Sequence, residues 1–235
     1  MKLNKKKVAI IPARSGSKRI PKKNIKKFCD APILSYSINA ALNSNIFDEV
    51  MVSTDSDEIA EIAHKYGASV PFMRSQENAS DYATTEDVIL EVLDQYSKMN
   101  KEYDYVCCIY PTAPFVDKDI LVKAFEKMEK YEPSIVIPVV QFSYPPQRSL
   151  VINDSGYARF KYPQYSQSRS QDLEKYYHDA GQFYIYNVKK LIEADGNIVD
   201  DFMPIILPDI MVQDIDNITD WEIAEIKYKY INNMC

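Results

Sequence analysis

The run VAIIPARSGSKRIPKKN, residues 8–24, decides how the rest of the chain is read. Its first four residues are apolar and predict a short buried strand over 8–11. A turn follows in which Arg14, Lys18, Arg19, Lys22 and Lys23 are interleaved with the small residues Ser15, Gly16 and Ser17. Pro12 and Pro21 bracket the turn and restrict its backbone. Eleven Lys and Arg fall in the first 27 residues, and no Asp or Glu precedes Asp30. A basic, small-residue loop at the carboxyl end of the first strand of an α/β sheet suits a polyphosphate. Backbone N–H groups face its oxygens, and the cationic heads neutralise its charge. The loop is not a Walker A sequence, because G-x-x-x-x-G-K-[ST] is absent. It is not the dinucleotide fingerprint either, since Gly16 is its only glycine. Lys2 to Lys7 read as a solvated tail.

Outward from this loop, strand and helix patterns alternate. A helix is predicted over 31–43, with Pro32 in its first turn and Leu34, Ile38, Ala41 and Leu42 on one face. A strand follows over 50–53. Asp55 or Asp57 is positioned to cap a helix carrying Ile59, Ile62, Ala63 and Tyr66 inward and ending at Gly67. Residues 70–73 read as extended. A polar loop over 74–85 leads to a helix capped by Thr84 or Thr85, with Val88, Val92, Leu93 and Tyr96 buried. A buried strand over 103–109, a helix with Ile120, Leu121, Ala124, Phe125 and Met128 inward, and a strand over 135–140 complete the alternation. The fold class expected is α/β, a doubly wound and mostly parallel sheet.

The pattern changes near Gln141. Residues 141–180 are rich in Tyr, Pro, Gln and Ser without helical period, and 150–152 and 157–160 flank a turn as a β-hairpin. This predicts a core of 1–140, a surface insertion of 141–180, and a return to the core over 181–235. In that last part a strand is expected over 181–186 and a helix over 187–194, with extended segments at 205–207 and 211–215. A final helix starts at Thr219, capped by Thr219 and Glu222. Its Trp221, Ala224 and Tyr228 are expected to dock on the sheet.

Composition narrows the function classes. A chain of 235 residues with 46% hydrophobic content can bury one large core or two small ones. The net charge of −6 and pI near 5.1 argue against nucleic acid as the main partner. No apolar run reaches the roughly 20 residues needed to span a bilayer, and no signal-peptide core is visible, so no membrane role is expected. Cys29, Cys107, Cys108 and Cys235 form no C-x-x-C pair and read as small core residues of a reducing cytoplasm. Cys107 and Cys108 are expected on opposite faces of one strand. His64 and His178 are too few for a His-based metal centre.

A second cluster is Asp214-Ile215-Asp216. In an extended segment the two carboxylates share a face and Ile215 points to the core. Two adjacent carboxylates repel, and a divalent cation between them removes that cost. Mg²⁺ is the natural choice beside a nucleoside triphosphate. The plain alternative is that Asp216 helps cap the last helix, a task already met by Thr219 and Glu222.

The stretch IIPARSGSKRIPKKN resembles the start of the CMP-sialic acid synthetase-type cytidylyltransferases, which activate nine-carbon sugar acids, and the likeness extends along nearly the whole chain. The resemblance implies a Rossmann-like nucleotidyltransferase fold and a loop of Ala13, Arg14, Ser15, Gly16, Ser17, Lys18 and Lys23 on the nucleotide. It places Asn24 near the ribose and α-phosphate. It implies Asp214 and Asp216 as metal ligands, and Arg74 and Thr85, with the backbone near Ala83, on the cytosine. It also implies an insertion used for a homodimer. Where N-acetylneuraminate-activating relatives have Q-P-T-S-P-L-R, this chain has YPTAPFV, with Tyr110 for Gln and Val116 for Arg. Where they carry Arg-Pro-Asn-Gly, it has His178-Asp179-Ala180-Gly181. The combination YPTAPF, PPQR, SRSQDLE and YHDAGQFY is similar to the pseudaminic acid branch of the family. The sugar-side candidates are Tyr110, Arg148, Arg169, His178 and Gln182, the arginines for the sugar carboxylate. Each of those arginines also reads as a surface residue of a polar arm.

The implied reaction joins CTP and a nine-carbon sugar acid, with Mg²⁺ and release of pyrophosphate. Arg14, Lys23, Asp214 and Asp216 are the catalytic candidates, and no general base stands out. The alternatives are the same chemistry on N-acetylneuraminate or legionaminate, on the eight-carbon acid of lipopolysaccharide, or a non-catalytic nucleotide-binding module.

Overall fold

The computed structural model describes residues 5–234. The first half runs β1 (Lys7–Pro12), the tight hairpin β2 (Lys27–Phe28) and β3 (Ala31–Pro32), α1 (Ile33–Ser44), β4 (Glu49–Ser53) and α2 (Asp57–Lys65). It continues with α3 (Thr85–Lys98), β5 (Tyr105–Ile109), α4 (Lys118–Tyr131) and β6 (Ile135–Gln141). The second half holds β7 (Leu150–Ile152), β8 (Ala158–Phe160), β9 (Tyr177–Asp179), β10 (Phe183–Asn187), α5 (Val188–Glu193), β11 (Phe202–Ile206) and α6 (Ile218–Ile231).

The main sheet has the spatial order β11-β6-β10-β5-β1-β4, with β9 also on β6. β4, β1, β5, β6 and β11 run one way, and β10 and β9 run the other. The sheet is therefore mixed but mostly parallel, as expected. Period-2 alternation divides each strand between two layers. Ala9, Ile11, Val52, Cys107 and Ile109 pack with the buried faces of α1, α2 and α4. Val8, Ile10, Val106 and Cys108 pack with α3 and α5. The adjacent cysteines thus lie on opposite faces, and helices cover both. Each fully buried aliphatic side chain contributes about 1.5–3 kcal/mol.

Several local expectations are corrected. Lys5 to Lys7 are no solvated tail: Lys7 opens β1, the Lys6 N–H donates to Asp104, and Lys5 reaches Tyr105 and Glu132. Lys2 and Cys235 lie outside the described residues. Pro32 stands just before α1 as its N-cap. Ser56, rather than Asp55 or Asp57, caps α2, its hydroxyl accepting from Ile59 N–H. Residues 70–73 form no strand; only Ser69 bridges to Met51, and Pro71 lacks the N–H a further ladder would need. Thr84 caps α3 in a reciprocal box with Asp87. Residues 211–215 join no sheet. Met211 ends a 3₁₀ turn over Asp209–Met211, and 212–215 follow it. The last helix is capped by Asn217 with Asp220, not by Thr219 with Glu222.

Two placements shape the site. Trp221 and Ala224 of α6 do not dock on the sheet. They bury against Ile20, Phe28, Ile33 and Phe115, with the Trp221 ring edge-on to Phe28 at 5.5 Å. This clamps the chain just before α6 onto the exit of the basic loop. The insertion is also only partly detached: β7 and β8 form the expected hairpin apart from the main sheet, but β9 returns to it, pairing His178 with Val140. Between β9 and β10 the chain kinks at Gly181, whose φ of 62° suits glycine.

Candidate active site

The basic loop is a built structure. Ala13 N–H donates to Ser53 O at 2.9 Å, one step beyond the β1–β4 ladder. Ser15 binds Asp55 twice, by its N–H and its hydroxyl, each at 2.7 Å. Burial opposes the Asp55 charge, but the Ser15 bonds outweigh it and hold the carboxyl below the usual carboxylate value. Ser17 Oγ donates to Ile20 O at 2.6 Å, and buried Asn24 donates through Nδ2 to Arg14 O at 2.9 Å. Lys22 takes the left-handed conformation, φ 53°, and starts a 3₁₀ turn over Lys23–Ile25.

The loop cations are neutralised by carboxylates from distant segments. Asp81 accepts from Arg14 and from Lys18, both at 2.6 Å. Arg19 pairs with Asp216 at 2.8 Å, and Lys22 with Glu58 at 2.7 Å. All these pairs are substantially exposed. Exposed pairs contribute about 0–1 kcal/mol, so a polyphosphate can displace these carboxylates at little cost. Lys23 differs. Its ammonium is partly buried and donates to Ile215 O at 2.7 Å. Burial lowers its pKa from the ordinary 10.5, against the pull of Asp216 and Asp214. Arg14, Lys18, Arg19 and Lys23, with Asn24 and the turn after β5, line a cleft of about 360 Å³.

The Ile215 carbonyl and Asp216 thus face the loop. Ile215 is buried beside Ile20 and Trp221, which anchors the segment between the two aspartates. Asp216 takes Arg19, while Asp214 borders a second cleft. Among the described residues no three His, Cys, Asp or Glu side chains gather as a closed metal centre. Two hard carboxylates beside a basic loop fit Mg²⁺, which commonly takes one or two carboxylates and completes its shell with phosphate oxygens and water.

Arg74 is buried, with Nε on Ser53 Oγ at 3.0 Å and Nη2 on Ser53 O at 2.5 Å. Burial pushes its pKa down to about 10, although Asp55 opposes the shift. Ala83 immediately precedes the Thr84 cap, and Thr85 opens α3 with its Oγ1 3.0 Å from Tyr110 Oη. Tyr110 borders both clefts. The second, about 580 Å³, is also lined by His178, Gly181, Asp214 and Lys227. Gln182 is 2% exposed; its Nε2 donates to Met211 O, and its Oε1 has no partner.

The fold therefore brings the loop, the acidic pair, Tyr110 and His178 to the carboxyl edge of the sheet, with Gln182 buried beside them. It leaves Arg148 and Arg169 exposed on the arm, Arg148 near Ser170 Oγ at 3.4 Å and Arg169 bidentate to Asp172. Sequence reasoning gave no role to Glu58, Asp179 or Lys227, read Asp55 only as a candidate helix cap, and did not foresee Asp81 as a partner of the loop cations. The excess of loop cations over nearby acids was the only available signal that such partners were needed. Among the described residues no helix is long and apolar enough to cross a membrane.

Comparison with known proteins gives the family and the fold. Residues 8–197 match a family model described as cytidylyltransferase. The chain is 45% identical over 224 residues to a pseudaminic acid cytidylyltransferase of Campylobacter jejuni subsp. jejuni serotype O:2, covering 95% of this chain and 97% of the relative. It is 34% identical over 225 residues to a CMP-N,N'-diacetyllegionaminic acid synthase of Legionella pneumophila, covering 93% and 94%. In fold it is similar to the structure of a CMP:2-keto-3-deoxy-manno-octonic acid synthetase complexed with CTP. The TM-score is 0.67 at 18% identity, over 96% of this chain and 99% of that one. This chain belongs to the cytidylyltransferase family.

Proposed function

We propose that this enzyme joins CTP and pseudaminic acid to give CMP-pseudaminic acid and pyrophosphate. The observation that carries the reading is the direct contact of Lys23 and Arg19 with the 214–216 segment, Lys23 on Ile215 O and Arg19 on Asp216. The relatives named for pseudaminic acid, 45% and 42% identical across 95% of the chain, support the choice of sugar.

The residues divide by task. Arg14, Lys18 and Lys23, with the N–H groups of Gly16 and Ser17, bind the triphosphate and offset charge that builds on the leaving pyrophosphate, while Ser15, held by Asp55, and Ala13, held by Ser53, fix the loop's course. The carboxylates of Asp81 and Asp216 give up their cation partners to the phosphates. Asn24 braces the loop at Arg14 O and orients the nucleotide. Asp214 and Asp216 hold Mg²⁺, which supplies charge neutralisation of the triphosphate. Arg74, Thr85 and the backbone at Ala83 read the cytosine edge: an amino donor beside carbonyl and ring-nitrogen acceptors. Tyr110, His178 and Gln182 face the sugar, and Arg148 and Arg169 serve it from the arm of a homodimer. The anomeric hydroxyl attacks the α-phosphorus in line with departing pyrophosphate. CTP as co-substrate puts the reaction in the cytoplasm.

The test is pyrophosphate release with CTP and Mg²⁺ over a panel of pseudaminic, legionaminic and N-acetylneuraminic acids. The expected result is fastest turnover of pseudaminic acid. A higher kcat/KM on either other acid would transfer the assignment to that sugar, and no release with any would leave a nucleotide-binding module.

A further inference from the structure

We propose that His178 is the general base that takes the proton of the attacking sugar hydroxyl. The inference rests on the reaction proposed above and supplies the proton acceptor which that reaction lacks.

The tautomer follows from one contact. His178 Nδ1 lies 2.8 Å from the backbone oxygen of Asp179. A carbonyl oxygen only accepts, so Nδ1 carries the proton and Nε2 keeps its lone pair. The imidazole is thus oriented by a third group, which is the arrangement a base requires. The residue that supplies this carbonyl is held through its side chain as well. The Asp179 carboxylate accepts from Gly181 N–H at 2.8 Å and from the Tyr184 hydroxyl at 2.6 Å. Phe142 packs on the imidazole, ring centroids 4.8 Å apart. The pairing of β9 with β6 holds the whole assembly at the carboxyl edge of the sheet, opposite Val140.

His178 lines the cleft with Asp179, Asp209, Asp214, Tyr110 and Lys227. Lys227 is engaged with Val212 O and Asp209 O. Of the other carboxylates lining the cleft, both Asp179 oxygens are bonded and Asp214 belongs to the acidic pair. In the step, the hydroxyl proton passes to Nε2 while the oxygen lone pair bonds to the α-phosphorus. The bond from that phosphorus to the bridging oxygen breaks, and pyrophosphate leaves with the electron pair. The imidazolium then returns its proton to water.

The test uses the full chain with CTP, Mg²⁺ and whichever sugar acid the wild type turns over best, so the sugar assignment and the base assignment fail separately. His178→Gln keeps a hydrogen-bonding amide near Nε2 but cannot take a proton at neutral pH. Its kcat should fall on the order of 10²- to 10⁴-fold, while the sugar KM moves less than about threefold. The acid limb of the kcat–pH profile should vanish, and added imidazole should restore part of the rate of His178→Ala. CTP affinity measured by calorimetry should match the wild type. A His178→Gln enzyme with near wild-type kcat and an unchanged acid limb would overturn the proposal. So would a loss confined to the sugar KM, which would make His178 a carboxylate-binding residue. A wild type that turns over no sugar acid would overturn both readings.

Discussion

The Lys23 ammonium donates to the carbonyl oxygen of Ile215 across 2.7 Å, although 192 residues separate them in the chain. This contact, with the Arg19–Asp216 pair at 2.8 Å, fastens the basic loop to the acidic segment. The loop lies at the end of β1 and the acidic segment is anchored by α6, so the two ends of the sequence build one site.

Lys23→Ala should lower kcat/KM for CTP by about tenfold to a thousandfold, the range for removing one charge-stabilising donor. Burial lowers the Lys23 pKa below 10.5. The free enzyme therefore loses this positive charge at a lower pH than an ordinary lysine would. Accordingly kcat/KM for CTP should fall as pH rises through that lowered value. Lys23→Arg should move the alkaline limb upward, because a guanidinium keeps its charge. A pH profile of kcat/KM for the three enzymes checks the sign.

Arg74→Ala should act on both stability and base choice. The Ser53 carbonyl and hydroxyl would lose buried donors, at a cost of about 1–3 kcal/mol. Thermal unfolding reads that cost. Discrimination of CTP over UTP should shrink, while pyrophosphate affinity stays near wild type. An unchanged CTP/UTP ratio would remove Arg74 from base recognition.

The arm carries apolar side chains on one face of β7: Leu150 is 57% exposed and Ile152 75%. If the arm builds the homodimer, the double change Leu150→Asp and Ile152→Asp should convert a dimer to a monomer in sedimentation. A wild type that sediments as a monomer at micromolar concentration, or a double variant that stays dimeric, would remove that role.

Much of this site was readable before the fold was known, because its signals are local. The basic turn after residues 8–11 announces itself by charge, and the spacing of Asp214 and Asp216 puts Ile215 inward by strand period alone. What was not readable depends on distant partners. β9 escaped notice because Tyr177, His178 and Asp179 are exposed polar or half-polar residues, and only pairing with β6 makes them a strand. The direction of β10 left no trace, since a short strand reads alike in either sense. At α6, Asn217–Asp220 and Thr219–Glu222 match the same capping pattern, and the helix start at Ile218 selects the first. Asp55 read as a helix cap because nothing in its neighbourhood pointed to Ser15, 40 residues earlier.

The most direct measurement of the central claim is CTP affinity by calorimetry at increasing Mg²⁺ for wild type, Lys23→Ala and Asp216→Asn. Wild-type affinity should rise with Mg²⁺. Lys23→Ala should bind more weakly at every concentration, and Asp216→Asn should lose the Mg²⁺-dependent gain while melting within about 1 kcal/mol of wild type, as befits an exposed pair. An Asp216→Asn enzyme that keeps the full Mg²⁺-dependent gain would contradict a shared site for the loop and the acidic pair.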